Sequence, residues 1–569
     1  MWIIHNSYFH LLCASILTVS VYMVGLPGGF YFDDEWNILQ NQALQLDTLS
    51  LEGLWAAMAS GTAGPLGRPV AMLSFALNHA FFGLDPYYFK SVNLFIHLAC
   101  GWAIYGLVVV LAGYLPVKLD SRKHLFAFFV MLLWLLHPLN LTAVLYPVQR
   151  MAGLSALFCL LGMLSYVLAR RCSRDRMAAK AGLYICSFVL FWPLALASKE
   201  NAALFPVYLF LLELTFLRFR PIGRDEVSRP LVLAYSGFLV MPAVLTALYF
   251  IVFPDWILNG YLNRDFSFQE RLLTEARILI FYLGQLLVPL NSSLGMFHDD
   301  FILSTSLISP WTTLPAVLIV IFSIVWALLR VGRYPVIAFG LLFFFAAHSL
   351  ESSVLALELV HEHRNYLASF PILMAIAYCL LACGEAGLRL KMLLSVSLIL
   401  FLAVTTLFRA AVWGSPALHV MSEVMNHPLS PRANYGMGRQ YAVYASSLPD
   451  SPQKMDALQE AAGYFKKSTE LRASYTDGLF GLLMMEAMEG RDMGDTAFRD
   501  LLSRLAGAPF ANNNYNYLNS LISCIENDDC QVSKDKVAAI IDASLENPMF
   551  TGRHREFILR RYEAYQKRL

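Results

Sequence analysis

The amino-acid sequence predicts an all-α protein: a polytopic transmembrane helical bundle over residues 1–411, followed by a soluble helical-repeat domain over residues 412–569. Three observations predict it. Hydrophobic residues make up 57% of the chain and charged residues only 15%, with a mean hydropathy of +0.54. Apolar runs recur near the ~20-residue length that crosses a hydrocarbon core. Beyond residue 411 those runs stop, and charges, Ser, Asn and Pro become frequent. A net charge of +1 supplies no basic surface for a polyanion, so no nucleic-acid partner is expected.

Residues 8–26 have spanning length but lack the basic leader and small-residue cleavage site of a secretory signal, and read as a retained first helix. Residues 28–90 form a long loop that carries Asp33, Asp34, Arg68 and Lys90. Within it Leu51, Leu54, Trp55 and Met58 recur at helical spacing on one face, the pattern of a helix lying in a membrane surface. Further spans are expected near 91–114, 123–138, 149–169, 181–197, 202–218, 230–252, 311–330, 335–350, 366–384 and 391–410, about eleven in all.

The connections set the orientation. One set carries Lys118, Arg122 and Lys123; Arg170, Arg171, Arg174, Arg176 and Lys180; Arg218, Arg220, Arg224 and Arg229; Arg330 and Arg333; Arg389 and Lys391. Basic loops stay cytoplasmic, so the N-terminus is cytoplasmic and the Asp33–Asp34 loop and the tail face outward. The apolar stretch 276–291 tests this. If it spanned, the later basic loops would invert, so it is expected to dip in or lie at the surface.

In the tail, helical patterns over 433–445 and 454–471, with a third from Thr476, carry Gly436, Tyr441 and Ala442, then Ala461, Ala462 and Phe465. Small residues stacked against aromatics look like a tetratricopeptide unit, with a plain helical bundle as the alternative. Of nine cysteines, Cys13, Cys100, Cys159, Cys186, Cys379 and Cys383 read as small core residues and Cys172 as a free thiol. Cys524 and Cys530 share the polar domain and fit a local disulfide in an oxidising compartment.

Polar groups gather at the outward ends of the spans. Adjacent carboxylates at Asp33 and Asp34, where water gives way to hydrocarbon, are costly unless used, and read either as an acid pair or as caps of the next short helix. Asn93 and His97 share one helix face, as a structural pair or as support for a site. His137-Pro138 ends the third span, and Gln149-Arg150 opens the fourth, where an Arg fork suits a phosphate or simply snorkels. Lys199 and Glu200 either neutralise each other or aim a cation at an anionic headgroup. His361 and His363 flank Glu362, a poor helical spacing for a metal. Arg364 and Tyr366 suit a lipid-phosphate clamp better.

The ordered set Tyr31-Phe32-Asp33-Asp34, Gly67-Arg68-Pro69-Val70, Asn93-Leu94-Phe95-Ile96-His97, His137-Pro138 with Gln149-Arg150, Ser198-Lys199-Glu200 and Arg364-Asn365-Tyr366 resembles the transmembrane-plus-tetratricopeptide O-mannosyltransferases and their bacterial relatives, of the GT-C superfamily of membrane glycosyltransferases. The resemblance covers about residues 28–371 and implies sugar transfer from a polyprenyl-phosphate-linked donor. It places the family's acidic motif on Asp33 and Asp34, its Arg-Pro motif on Arg68, its Lys-Glu motif on Lys199 and Glu200, and its late motif on Arg364 and Tyr366. Arg150 joins the expected donor-binding set, with Asn93, His97, His137 and His363 in support. Thr142 stands where the animal enzymes carry an acid, and their repeat arrays are longer. That leaves mannose and the animal acceptors open and fits a bacterial inner-membrane enzyme with a periplasmic domain, acting on a pilin, another envelope protein or an envelope glycan.

The chemistry follows from the groups themselves. A hydroxyl acceptor needs a carboxylate to take its proton, and a phosphate leaving group needs cations rather than an acid. One displacement inverts the anomeric centre. Like-charge repulsion would raise one pKa of the acid pair, and either Asp33 or Asp34 can be the base. No cofactor is required, although Asp33 and Asp34 could hold a divalent cation with Glu35 or Asp299. A lipid transporter would place its polar groups at the bilayer midplane, and a non-catalytic scaffold would leave the outer-face charges without a purpose.

Overall fold

The computed structural model describes residues 7–115, 122–221, 226–382, 387–491, 493–510, 512–527 and 530–568. Lys118, Arg224 and Cys383 lie outside the described residues. Among the described residues every regular element is a helix. Among the described residues nine helices are long and apolar enough to cross a membrane, so the chain is a multi-pass membrane protein; the bent pair Lys123–Leu135 and Pro138–Leu145 makes ten when counted as one span. The bend of 55° falls where the residue before a proline leaves helical geometry: His137 is extended and Pro138 offers no N–H to the preceding turn.

Eleven spans are reached only by counting Pro335–His348. Its fourteen residues rise about 21 Å, short of the ~30 Å core, but both its flanks are covered by protein. Gly340 lets it lie directly on the Asn365–Ala382 helix; a Cβ there would sit 2.9 Å from the Pro371 carbonyl.

The apolar stretch expected at 276–291 belongs to a longer helix, Phe268–Leu287, opened by a capping box of Ser267 and Glu270. It does not cross the bundle. Near its start Arg271 donates to the carbonyls of Glu351 (2.8 Å), Ser353 (3.0 Å) and Leu357. Near its end Tyr282 accepts from the His361 N–H (2.7 Å) and the Leu286 carbonyl meets His137 (3.3 Å). Both ends therefore touch loops at one end of the bundle. Basic loops meet at the other end, where Arg218 donates to Gly332 and Arg171 to Val110, so the charge pattern that set the connections and the path of the chain agree.

The predicted surface helix is present as Leu51–Ala59, capped by the Ser50 hydroxyl, with Leu51 88% and Trp55 72% exposed. In the tail, Pro416–Asn426 docks on the bundle through Glu423, which accepts from the N–H groups of Met296 (2.9 Å) and Phe297 (3.2 Å). Helices then follow in pairs joined by short turns, Pro431–Ser446 with Pro452–Leu471 first, Asp477–Met488 next. Phe465 wedges between them. A Cβ on Gly438 would lie 2.7 Å from its ring and one on Gly481 2.5 Å, so these two glycines, rather than Gly436, make room for the ring. Cys524 and Cys530 are disulfide-bonded.

Candidate functional site

The acid motif opens on a tight turn, with Phe32 in the left-handed region at φ 36°. That turn sends the two neighbouring carboxyls apart. Asp34 is fully buried and accepts from the Tyr31 N–H (2.8 Å) and the Val148 N–H (2.7 Å). It thereby ties the first loop to the start of the fourth span, and it makes no capping bond to the turn Glu35–Leu39. Asp33 is half-buried; its N–H donates to the Tyr146 hydroxyl (2.7 Å). Around its carboxyl stand His361, Glu358 and Arg432. Burial pushes the Asp33 carboxyl above its ordinary value, with His361 and Arg432 pulling it back and Glu358 adding to the rise. Burial, more than repulsion from Asp33, also lifts Asp34 well above the usual range.

The cations are each held by an acid from elsewhere in the chain. Arg68, in the left-handed region just before Pro69, lays Nε and Nη2 on Glu200, both at 2.9 Å, and Nη1 against the Met151 sulfur (3.0 Å). Lys199 pairs with Glu351 at 2.7 Å. Lys199 and Glu200 therefore do not neutralise each other: Lys199 is extended, so adjacent side chains diverge to different partners. Burial alone would raise the Glu351 carboxyl, but Lys199 and Arg364 hold it down at about 2. Arg364 spends its fork on the carbonyls of Leu359 (2.8 Å) and Glu358 (2.6 Å). His363 lies close to Lys199, Arg364 and Arg68, and its ring stacks on His361 with centroids 5.0 Å apart. Asp33, Arg68, Lys199, Glu200, His363 and Arg364 thus share one end of the bundle.

Five expected site residues lie elsewhere: Arg150, Asn93, Tyr366, His97 and His137. Arg150 is fully buried and donates to Asn93 Oδ1 (2.8 Å), the Ser74 carbonyl (2.9 Å), Asn78 Oδ1 (2.6 Å) and the Phe89 carbonyl (2.9 Å). Its guanidinium lies over the Phe75 and Phe89 rings, at 4.8 and 5.2 Å. It joins helices and has no fork left for a phosphate. Tyr366 is buried against His97, its hydroxyl 2.7 Å from Nδ1, while His97 Nε2 meets the Leu135 carbonyl at 3.0 Å. Asn93 and His97 are therefore not partners of each other. His137 is buried between the Leu286 carbonyl and the Leu139 N–H. Asp33 and Asp34, which could have held a cation with Glu35 or Asp299, do not fit a metal. Asp34 is taken by two N–H groups, Asp299 by Ser430 and the Arg432 N–H, and no group of three metal-ligating side chains occurs among the described residues.

Glu351, Glu358 and Arg432 were not foreseen. Glu358 takes both arms of Arg432 at 2.7 and 2.6 Å, the His361 ring at 3.3 Å and Arg264 at 3.9 Å. Its one sequence signal is its place three residues before the His361 motif. Arg264 also borders an open groove of about 740 Å³ lined by Tyr261, Asp265, Phe266 and Phe268.

No family model matches the chain. It is 32% identical over 147 residues to protein O-mannosyl-transferase TMTC1 of Mus musculus, covering 25% of this chain and 15% of that protein. It is 30% identical over 185 residues to protein O-mannosyl-transferase TMTC4 of Homo sapiens, covering 31% of this chain and 25% of that one. The chain thus spans a quarter or less of the length of these two curated relatives. Among solved structures it is similar to the archaeal oligosaccharyltransferase AglB from Archaeoglobus fulgidus in complex with an inhibitory peptide and a dolichol-phosphate. That match has 12% identity and a TM-score of 0.33, and covers 79% of this chain and 61% of that one.

Proposed function

We infer that this protein is a membrane glycosyltransferase that moves a sugar from a polyprenyl-phosphate carrier to a hydroxyl of an envelope protein or glycan. The observation that carries the reading is the half-buried Asp33 carboxyl, free of any backbone cap, at the same end of a membrane bundle as Arg68, Lys199, His363 and Arg364. A carboxylate with a raised pKa suits a base, and the Arg68 and Lys199 cations suit a phosphate leaving group, with the neutral His363 and the carbonyl-bonded Arg364 beside them. The local likeness to protein O-mannosyl-transferases supports the same chemistry.

In the proposed step the acceptor hydroxyl attacks the anomeric carbon as Asp33 takes its proton. The bond from that carbon to the phosphate oxygen breaks, and the electron pair leaves with the polyprenyl phosphate. The configuration inverts. Arg68 and Lys199 bear on the departing phosphate, each kept from collapsing onto the base by its own acid, Glu200 or Glu351. Asp34 holds the loop that carries Asp33. Basic loops at the far end support a site on the periplasmic face of a bacterial inner membrane, with the tail beside it to recruit the acceptor. The tail's helix pairs fit a tetratricopeptide-like array.

The test is mass spectrometry of envelope proteins and glycans from cells with the gene, without it, and complemented with D33N. A hydroxyl-linked sugar present only with the wild-type gene supports the reading. Identical profiles in all three would refute it.

A further inference from the structure

The tail's first repeat helix reaches into the site. Arg432, the second residue of Pro431–Ser446, lays both guanidinium arms on Glu358 at 2.7 and 2.6 Å and covers the Phe32 ring at 5.2 Å, one residue from Asp33. Its backbone N–H and the Ser430 hydroxyl both bond Asp299, which pins the helix start to the bundle loop. Glu358 in turn holds His361, and its carbonyl receives Arg364.

We propose that Arg432 is a positioning residue of the transferase site, supplied by the tail: with Glu358 it holds Phe32 and His361 in place and sets the charge that surrounds Asp33. The inference rests on the transferase reading and goes beyond it, because it makes the tail part of the reaction centre as well as a recruiter of acceptor.

The physical case is geometric first. A forked Arg–carboxylate pair is directional, and a guanidinium lying over an aromatic ring adds a second constraint on the same side chain. Phe32, which Arg432 covers, occupies the left-handed turn that separates Asp33 from Asp34, so any loosening of Arg432 is felt one residue from the carboxyl. The charged and titratable groups facing Asp33 are His361 and Glu358 from the loop before the Asn365–Ala382 helix, Arg432 from the tail, Tyr146 from the turn after the bent pair Lys123–Leu135 and Pro138–Leu145, and its neighbour Asp34. Of these, Arg432 and Glu358 carry opposite charges and are bonded to each other, so removing one exposes the full charge of the other.

That gives opposite signs for two single substitutions. Arg432→Gln removes a positive charge and unmasks Glu358; both favour the protonated Asp33, and the acid limb of transfer moves to higher pH. Glu358→Gln removes a negative charge and frees Arg432, so the limb moves to lower pH. Each shift should be about one pH unit for a charge of this proximity at a protein surface. Arg432→Lys keeps the charge and should hold the limb near its wild-type position while weakening the fork.

The experiment uses membranes from cells that express the full-length chain, with their native lipid-linked donor and acceptor, and measures glycosylated product by mass spectrometry across pH. Wild type, D33N, R432Q, R432K and E358Q are compared at equal amounts of inserted protein. Opposite shifts for R432Q and E358Q, with R432K close to wild type, support the proposal. If R432Q does not accumulate, a downward shift in E358Q with none in R432K supports it equally. Unshifted limbs in R432Q and E358Q, with only the amount of product reduced, would overturn the proposal while leaving the transferase reading intact. Absence of product from wild type would remove both.

Discussion

Arg150 gives the sharpest separation between a scaffold residue and a ligand-binding one. Its guanidinium satisfies four acceptors contributed by two helices, Pro69–Phe82 and Pro86–Ala112, and is covered by two aromatic rings. Arg150→Ala leaves the Asn78 and Asn93 side-chain oxygens buried without this donor and strips the Ser74 and Phe89 carbonyls of a second one beyond their helix bonds. At about 1–3 kcal/mol for each orphaned group the loss starts near 2 kcal/mol, a large part of the 5–15 kcal/mol that keeps a typical protein folded. Arg150→Lys keeps the charge, but an ammonium has three donors, so at least one acceptor loses its partner, at a cost of about 1–3 kcal/mol. Thermal unfolding of the detergent-purified protein reads both, alongside product formed per folded molecule. The Ala protein should fail to accumulate; the Lys protein should melt early yet transfer sugar. A Lys variant that melts like wild type and makes no product would mean that Arg150 binds the donor, and would refute the structural role.

Asp34→Asn sets an amide nitrogen against one of the two N–H groups that the carboxylate now accepts, so about 1–3 kcal/mol of stability should be lost while folded molecules keep some activity. A variant of normal stability with no transfer would instead make Asp34 the base. Phe465→Ala removes the wedge between three tail helices and should cost about 3–5 kcal/mol locally. Hydrogen exchange should then rise across 431–488 and stay unchanged in the bundle; protection as in wild type would contradict the stacking described for the tail.

The bundle was legible because length and apolarity decide a membrane span almost alone, and because the basic loops collect at one end of it. The same charge argument kept the stretch 276–291 from counting as a span, because spanning would invert the basic loops after it; the structure places it in the helix Phe268–Leu287, whose ends return to one side. The site was legible in part. Asp33, Arg68, Lys199, Glu200, His363 and Arg364 come together, but Arg150, Tyr366, His97 and His137 look identical in sequence to ligand-binding groups and are consumed by buried partners. Nothing local distinguishes them, since the Tyr366 hydroxyl is answered by a histidine 269 positions away. The acid pairing each cation was equally hidden. Adjacency suggested Lys199 with Glu200, whereas the chain path brings Glu351 to Lys199 and Arg68 to Glu200. The choice between Asp33 and Asp34 depended on the left-handed turn at Phe32, which no residue type announces.

Asp33 also has a stability signature opposite to its catalytic one. Its folded pKa is raised, mainly by burial, so its contribution to stability is fully present below the ordinary carboxylate value of about 3.9 and is lost as pH rises through the folded value. Once ionised, the side chain opposes folding, and D33N relieves it. The most direct measurement is therefore made on the D33N protein at pH 7: its melting temperature together with its glycosylated product. The expected result is a melting temperature at or above that of wild type with product abolished. Product at the wild-type level from stably folded D33N would contradict the role given to Asp33 and the transfer chemistry built on it.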